Sequence, residues 1–191
     1  MWLRAGGLLR MFRVPAAGGP PSPFLPGWGV YRPPGSSGPV FSPDGRLVLF
    51  KGAPLDDPSQ RDWWVVPVEG GEPWSSRASG EIRAIDVVQF PTAWYRDRLI
   101  LAAGTTIEGL NLYSAKISDD GLISGPITPL TAGPGMSWRP SVSDAGRVAL
   151  SRFSWVIHLW EVSLDPETGE GIGAPRRITD DAAPKFSFSL S

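Results

Sequence analysis

An aromatic residue opening an alternating apolar segment recurs at Phe12, Trp64, Tyr113 and Trp160, and this recurrence constrains the fold more than any other feature of the chain. Each aromatic begins a period-2 apolar face: Phe12/Val14/Ala16, Trp64/Val66/Val68, Tyr113/Ala115/Ile117 and Trp160/Val162/Leu164. Strict alternation keeps three such positions on one side of a strand but scatters them around a helix. The longest duplication runs from Asn111 to Ser143 and again from His158 to Ser191, with Thr131 to Ser143 aligning on Thr179 to Ser191 without a gap. Amphipathic strands of any sandwich would explain one copy. Four copies at one period require a repeat architecture.

A second landmark lies between the alternating segments. Phe41-Ser42-Pro43-Asp44-Gly45-Arg46 leads into Leu47-Val48-Leu49-Phe50, Tyr95-Arg96-Asp97-Arg98 into Leu99-Ile100-Leu101, and Ser143-Asp144-Ala145-Gly146-Arg147 into Val148-Ala149-Leu150. Pro-Asp-Gly places Pro at the second turn position and Gly where positive φ is needed, which predicts hairpins. The recurring arginines Arg46, Arg98 and Arg147 follow the turns and are expected to be solvated. One unit therefore reads strand, turn, strand, variable loop, alternating strand, Gly turn, short strand. The variable loops run over Gly52–Asp62, Ala103–Gly109 and near Phe153–Trp155, and such loops on a regular scaffold are where specificity resides.

Composition agrees with short strands. Gly and Pro together contribute 44 of 191 residues, too many interruptions for long helices, while nine Trp argue against disorder. Between Pro15 and Pro39, 14 of 25 residues are Gly or Pro, which predicts an irregular connection between units. A net charge of −1 gives no electrostatic reason to expect nucleic acid. No cysteine is present, so disulfides and thiolate chemistry are excluded, and a lone His158 excludes a multi-His metal site within the chain. No apolar run is long enough for a membrane helix. Arg4, Arg10 and Arg13 interrupt the N-terminal apolar stretch, so a signal peptide is not expected there.

The pattern Phe41-Ser-Pro-Asp-Gly-Arg-Leu-Val-Leu-Phe50 followed by Trp64-Val-Val-Pro-Val-Glu-Gly-Gly-Glu-Pro73 resembles the blade of TolB-type, WD-repeat-like bacterial β-propellers. Ile123-Ser-Gly-Pro-Ile-Thr-Pro-Leu-Thr131 and Thr168-Gly-Glu-Gly-Ile-Gly-Ala-Pro-Arg-Arg-Ile-Thr179 resemble propeller regions attached to bacterial serine/threonine kinases and winged-helix regulators. The Trp-Asp dipeptide of eukaryotic WD repeats is missing, Asp144-Ala145-Gly146 replaces Pro-Asp-Gly, and Tyr95-Arg96-Asp97 has no Gly. The resemblance implies an all-β propeller of four-stranded antiparallel blades, three to four of them in an incomplete ring. Its boundaries would be 1–27 for the outer strands of one blade, 28–79, 80–132 and 133–180 for three more, and 181–191 for the first strand of the next. Strands from the two ends sharing one blade and closing a small ring is the alternative arrangement.

The resemblance further implies a non-catalytic module binding a protein or small ligand at one face, with an extracytoplasmic or periplasmic location favoured. The gating propeller of an S9-type serine peptidase and a TolB-like protein-binding component are the alternatives. The sequence holds no nucleophile elbow, P-loop or dinucleotide fingerprint. No catalytic, cofactor or metal residue is therefore assigned, and the residues contacting a ligand or partner stay open. His158 is expected to be a strand histidine with satisfied hydrogen bonds. Asp56-Asp57, Asp119-Asp120 and Asp180-Asp181 are expected in solvated turns without the spacing of a calcium loop. Trp64 and Trp160 are expected in the core, leaving Trp63, on the opposite face, free for another role such as a carbohydrate platform.

Overall fold

The computed structural model describes residues 4–5, 8–31, 38–82, 88–105, 109–154 and 158–180. Among the described residues the structure is all-β apart from the helical turn Ala78–Glu81, and the chain divides into two compact units, Met1–Phe153 and Ser154–Ser191.

In the first unit, β1 (Arg4–Ala5) and β2 (Leu8–Leu9) pair with each other, while β3 (Met11–Arg13) pairs with β4 (Ser22–Phe24) as a separate ribbon. The Gly/Pro-rich stretch expected to be irregular thus contains β4 and also β5 (Trp28–Val30). Pro23 fits within β4 because that strand lies at an edge, where a missing N–H breaks no ladder. The first large sheet has the order β1-β2-β5-β7-β8-β9, with β6 (Val40–Phe41) also on β7 (Leu47–Pro54). β8 (Asp62–Pro67) and β9 (Trp74–Ser75) complete it. The segment β6 to β9 has the strand sequence expected of one repeat unit.

The next unit is more regular. β10 (Val88–Tyr95), β11 (Arg98–Gly104), β12 (Asn111–Ile117) and β13 (Ile123–Pro129) form a four-stranded antiparallel meander in chain order. β14 (Met136–Val142) and β15 (Val148–Phe153) form a hairpin. In the second compact unit, β16 (Trp160–Leu164) pairs with β17 (Gly171–Arg177).

Each large sheet of the first unit is apolar on both faces. Leu49, Trp63 and Val65 pack with Trp94, Leu99, Leu101, Ala115 and Ile117, so one cluster fills the space between the two sheets. Val48, Phe50 and Val66, on the other face of the first sheet, pack with Met11, Phe24 and Val30. Ala102 and Leu112, on the far face of the second sheet, pack with Met136 and, partly buried, Trp138. Hydrogen bonds to main-chain carbonyls also join the sheets: the Ile123 N–H donates to the Ser76 carbonyl at 2.8 Å, and the Trp74 side chain donates through Nε1 to the Asp120 carbonyl at 3.0 Å.

This double burial corrects the expected face assignments. Trp63 is 2% exposed within the inter-sheet cluster, so it is a core residue and no carbohydrate platform. Trp64 is only partly buried, packed edge-on to Trp28 with ring centroids 4.7 Å apart. In β3 the buried side chain is Met11, while Phe12 and Val14 of the expected core face are exposed. Trp160, Val162 and Leu164 are exposed as well, Trp160 at 57%. Within the second unit, the described residues supply no layer over the apolar face of this two-stranded ribbon. Tyr113, Ala115 and Ile117 do pack into the core as expected.

Candidate functional site

The three recurring turns of the first unit form one end of the molecule's most regular region. In the first, the Gly45 N–H donates to the Ser42 carbonyl at 2.9 Å and Gly45 takes φ +72°. In the third, the Gly146 N–H donates to the Ser143 carbonyl at 2.8 Å and Gly146 takes φ +74°. Both are four-residue turns with Gly last, a position where a Cβ would be strained. Replacing Pro-Asp-Gly by Asp-Ala-Gly therefore changes the residues and keeps the geometry.

The second turn is built differently. Tyr95 pairs directly with Arg98, leaving Arg96 and Asp97 as a two-residue connection, and Arg96 takes φ +52°. Two-residue hairpin turns require positive φ and normally recruit Gly or Asn. Arg96 occupies the left-handed region against its own steric preference.

The side chains of this second turn face its neighbours. The Tyr95 hydroxyl donates to the Asp144 carbonyl at 2.8 Å, and Arg96 Nη2 donates to the same carbonyl at 3.4 Å. The Arg96 guanidinium also lies 5.1 Å from the Tyr95 ring centroid, within cation–π range. A cavity of about 340 Å³ is lined by Pro43, Trp94, Tyr95, Arg96, Val142 and Asp144. An adjoining one of about 120 Å³ is lined by Ser42, Asp44, Trp94, Arg96 and Asp119, with Pro43 common to both. Arg96 and Trp94 thus face two depressions that together collect residues from all three turns and from the turn after β12.

Electrostatics are local here. The Asp44 carboxylate accepts from the Ser42 hydroxyl at 2.6 Å, from the Arg46 N–H at 3.0 Å and from Arg46 Nε at 2.6 Å. These bonds, the Ser42 hydroxyl foremost, lower its pKa to about 2. Arg46 is spent on Asp44 and is largely exposed, and Arg98 and Arg147 are exposed at the ends of their turns. None of the three lines either cavity. The residue that does, Arg96, was legible only as a departure from the turn pattern: a non-glycine where the hairpin needs positive φ.

The acidic pairs stay separate. Asp57 accepts from Ser59 and Gln60, which hold its carboxyl below the ordinary value. Asp120 accepts from the Ser118 hydroxyl, and Asp180 pairs with Arg177 at 2.6 Å, while Asp181 lies outside the described residues. No group of three metal-ligating side chains occurs among the described residues. His158 is half-buried ahead of β16, and its Nδ1 lacks the hydrogen bond expected of it among the described residues. The turn end presents the Arg96 guanidinium to both depressions.

No family model matches the chain, and no curated protein matches it. Among solved structures, the chain is similar to a protein described as a candidate TolB from Agrobacterium tumefaciens. The two are 22% identical, the match covers 95% of this chain and 58% of the other, and the TM-score is 0.48. The chain spans less than two thirds of that protein's length.

Proposed function

We infer that the chain is a non-catalytic binding module made of propeller-type blades, with 28–79 and 80–132 as two of them. The observation that carries this reading is the repetition of one strand order, β6 to β9 and then β10 to β13, with apolar clusters on both faces of each sheet. Blades in a propeller bury both faces against their neighbours, whereas a sandwich sheet keeps one face wet. The turn end around Arg96 and Trp94 is the surface on which this reading places a protein or small-molecule partner. The resemblance of 123–131 and 168–179 to propellers attached to kinases and winged-helix regulators supports a place within a larger bacterial signalling or regulatory protein.

The coding sequence flanking this chain tests the reading. An in-frame kinase or winged-helix region supports it. An in-frame α/β-hydrolase region replaces it with a peptidase gate, and an upstream signal peptide with a small α/β domain replaces it with a TolB-like component. Peptide or ATP turnover by the purified chain that survives re-purification overturns the non-catalytic assignment.

A further inference from the structure

A third depression, of about 380 Å³, shares no lining residue with the turn-end cavities. It is lined from β3, β4, β6 and β7, and its base is apolar and buried: Met11 is 5% exposed, Phe24 9% and Val48 4%. Phe12, Val14 and Phe41 line it too, yet are 39%, 56% and 58% exposed. Three large apolar side chains left open around an apolar base mark a binding surface more than chance exposure does.

We propose that this groove binds a small amphipathic carboxylate, its apolar chain lying on Met11, Phe24 and Val48 and its head group met by Arg13. Arg13 is the one charged side chain among the described residues of the lining. Its Nη1 donates to the Glu69 carbonyl at 3.3 Å. The guanidinium fork matches a carboxylate, and an oily wall ending in one cation selects an oily chain ending in one anion. The volume suits a small molecule and is too small for a folded partner's surface.

Octanoate and 1-octanol share a chain and differ in the head group, so together they test both halves of the site. Titration followed by calorimetry and by the methyl resonance of Met11 is expected to show one octanoate site. Arg13→Gln should weaken octanoate about tenfold and leave 1-octanol unchanged. Phe41→Ser should weaken both. Both residues are exposed, and matching melting curves establish that the variants fold. Failure of octanoate to bind, 1-octanol binding as tightly as octanoate, or octanoate binding unaltered in both variants overturns the proposal.

Discussion

The Tyr95 hydroxyl donates a 2.8 Å hydrogen bond to the main-chain carbonyl of Asp144, tying the turn between β10 and β11 to the turn between β14 and β15. The two residues lie 49 positions apart, so the bond joins one repeat to the next. A hydrogen bond of this kind, partly exposed, contributes about 0.5–1 kcal/mol. Tyr95→Phe keeps the ring and removes the donor. Its expected effect is a loss of that size in denaturant unfolding, with hydrogen exchange accelerated in β14 and β15 before other strands.

Arg96 supplies the second test. As a non-glycine in the left-handed region it carries strain of roughly 1–2 kcal/mol, partly offset by the lower chain entropy of Arg over Gly when unfolded. Arg96→Gly should therefore stabilise the chain by roughly 0.5 kcal/mol while removing the cation from both turn-end cavities. Arg96→Val should destabilise it by more than about 1 kcal/mol, since a β-branched residue tolerates positive φ least. A loss of stability in Arg96→Gly would mean that the contacts of the guanidinium outweigh the strain.

Asp44 predicts a pH effect with a definite sign. Its folded pKa, about 2, is below the ordinary 3.8 because the Ser42 hydroxyl, and then Arg46, favour the charged form. The stabilisation is therefore fully present above the unfolded value and disappears as pH falls through about 2. Ser42→Ala removes the largest contribution, so the Asp44 carboxyl resonance should titrate closer to the ordinary carboxylate range. An unchanged titration would show that Arg46 alone sets the value.

Gly121 is fixed by its neighbour as well as by its own backbone. It takes φ +79°, and a Cβ there would lie 2.7 Å from Val65 Cγ2, in the adjacent sheet. Gly121→Ala should cost about 2 kcal/mol or more from strain and overpacking together. Val65→Ala removes the obstructing methyls, so the double variant should be more stable than the two single losses added together. A strictly additive result would place the whole cost in the backbone.

The Asp-Gly turns and the alternating segments were readable because each depends on local chemistry: Gly at positive φ, and side chains alternating across a pleat. The second turn was obscure because Arg96 adopts a conformation its residue type disfavours, and only the tertiary contacts to Asp144 show what holds it. Face assignment failed for a different reason. Alternation shows that Trp63 and Trp64 point opposite ways, but not whether one face or both are covered. The apolar run Trp63/Val65/Pro67 carried a hint, since a strand buried on both faces reads as nearly continuous apolar sequence. The depression beside Arg13 could not be read at all, because β3, β4 and β6 meet there through pairings that no local pattern specifies.

The corrected tryptophan assignments give the most direct check on the layering. Trp63, 2% exposed between the two sheets, should cost about 3–5 kcal/mol on truncation to Ala. Trp64 is half-buried, edge-on to Trp28, and its Nε1 donates to the Gly52 carbonyl at 3.2 Å. Trp64→Ala should therefore cost less, about 2 kcal/mol. Trp160→Ala should change stability by under about 1 kcal/mol, because its side chain is already mostly in water. The two compact units need not unfold together, so residue-level hydrogen exchange is the appropriate readout, with β8 followed for Trp63 and Trp64 and β16 for Trp160. A large loss in Trp160→Ala would show that its face is covered in solution. A small loss in Trp63→Ala would remove the inter-sheet cluster as the centre of the first unit, and with it the burial of both sheet faces on which the blade reading stands.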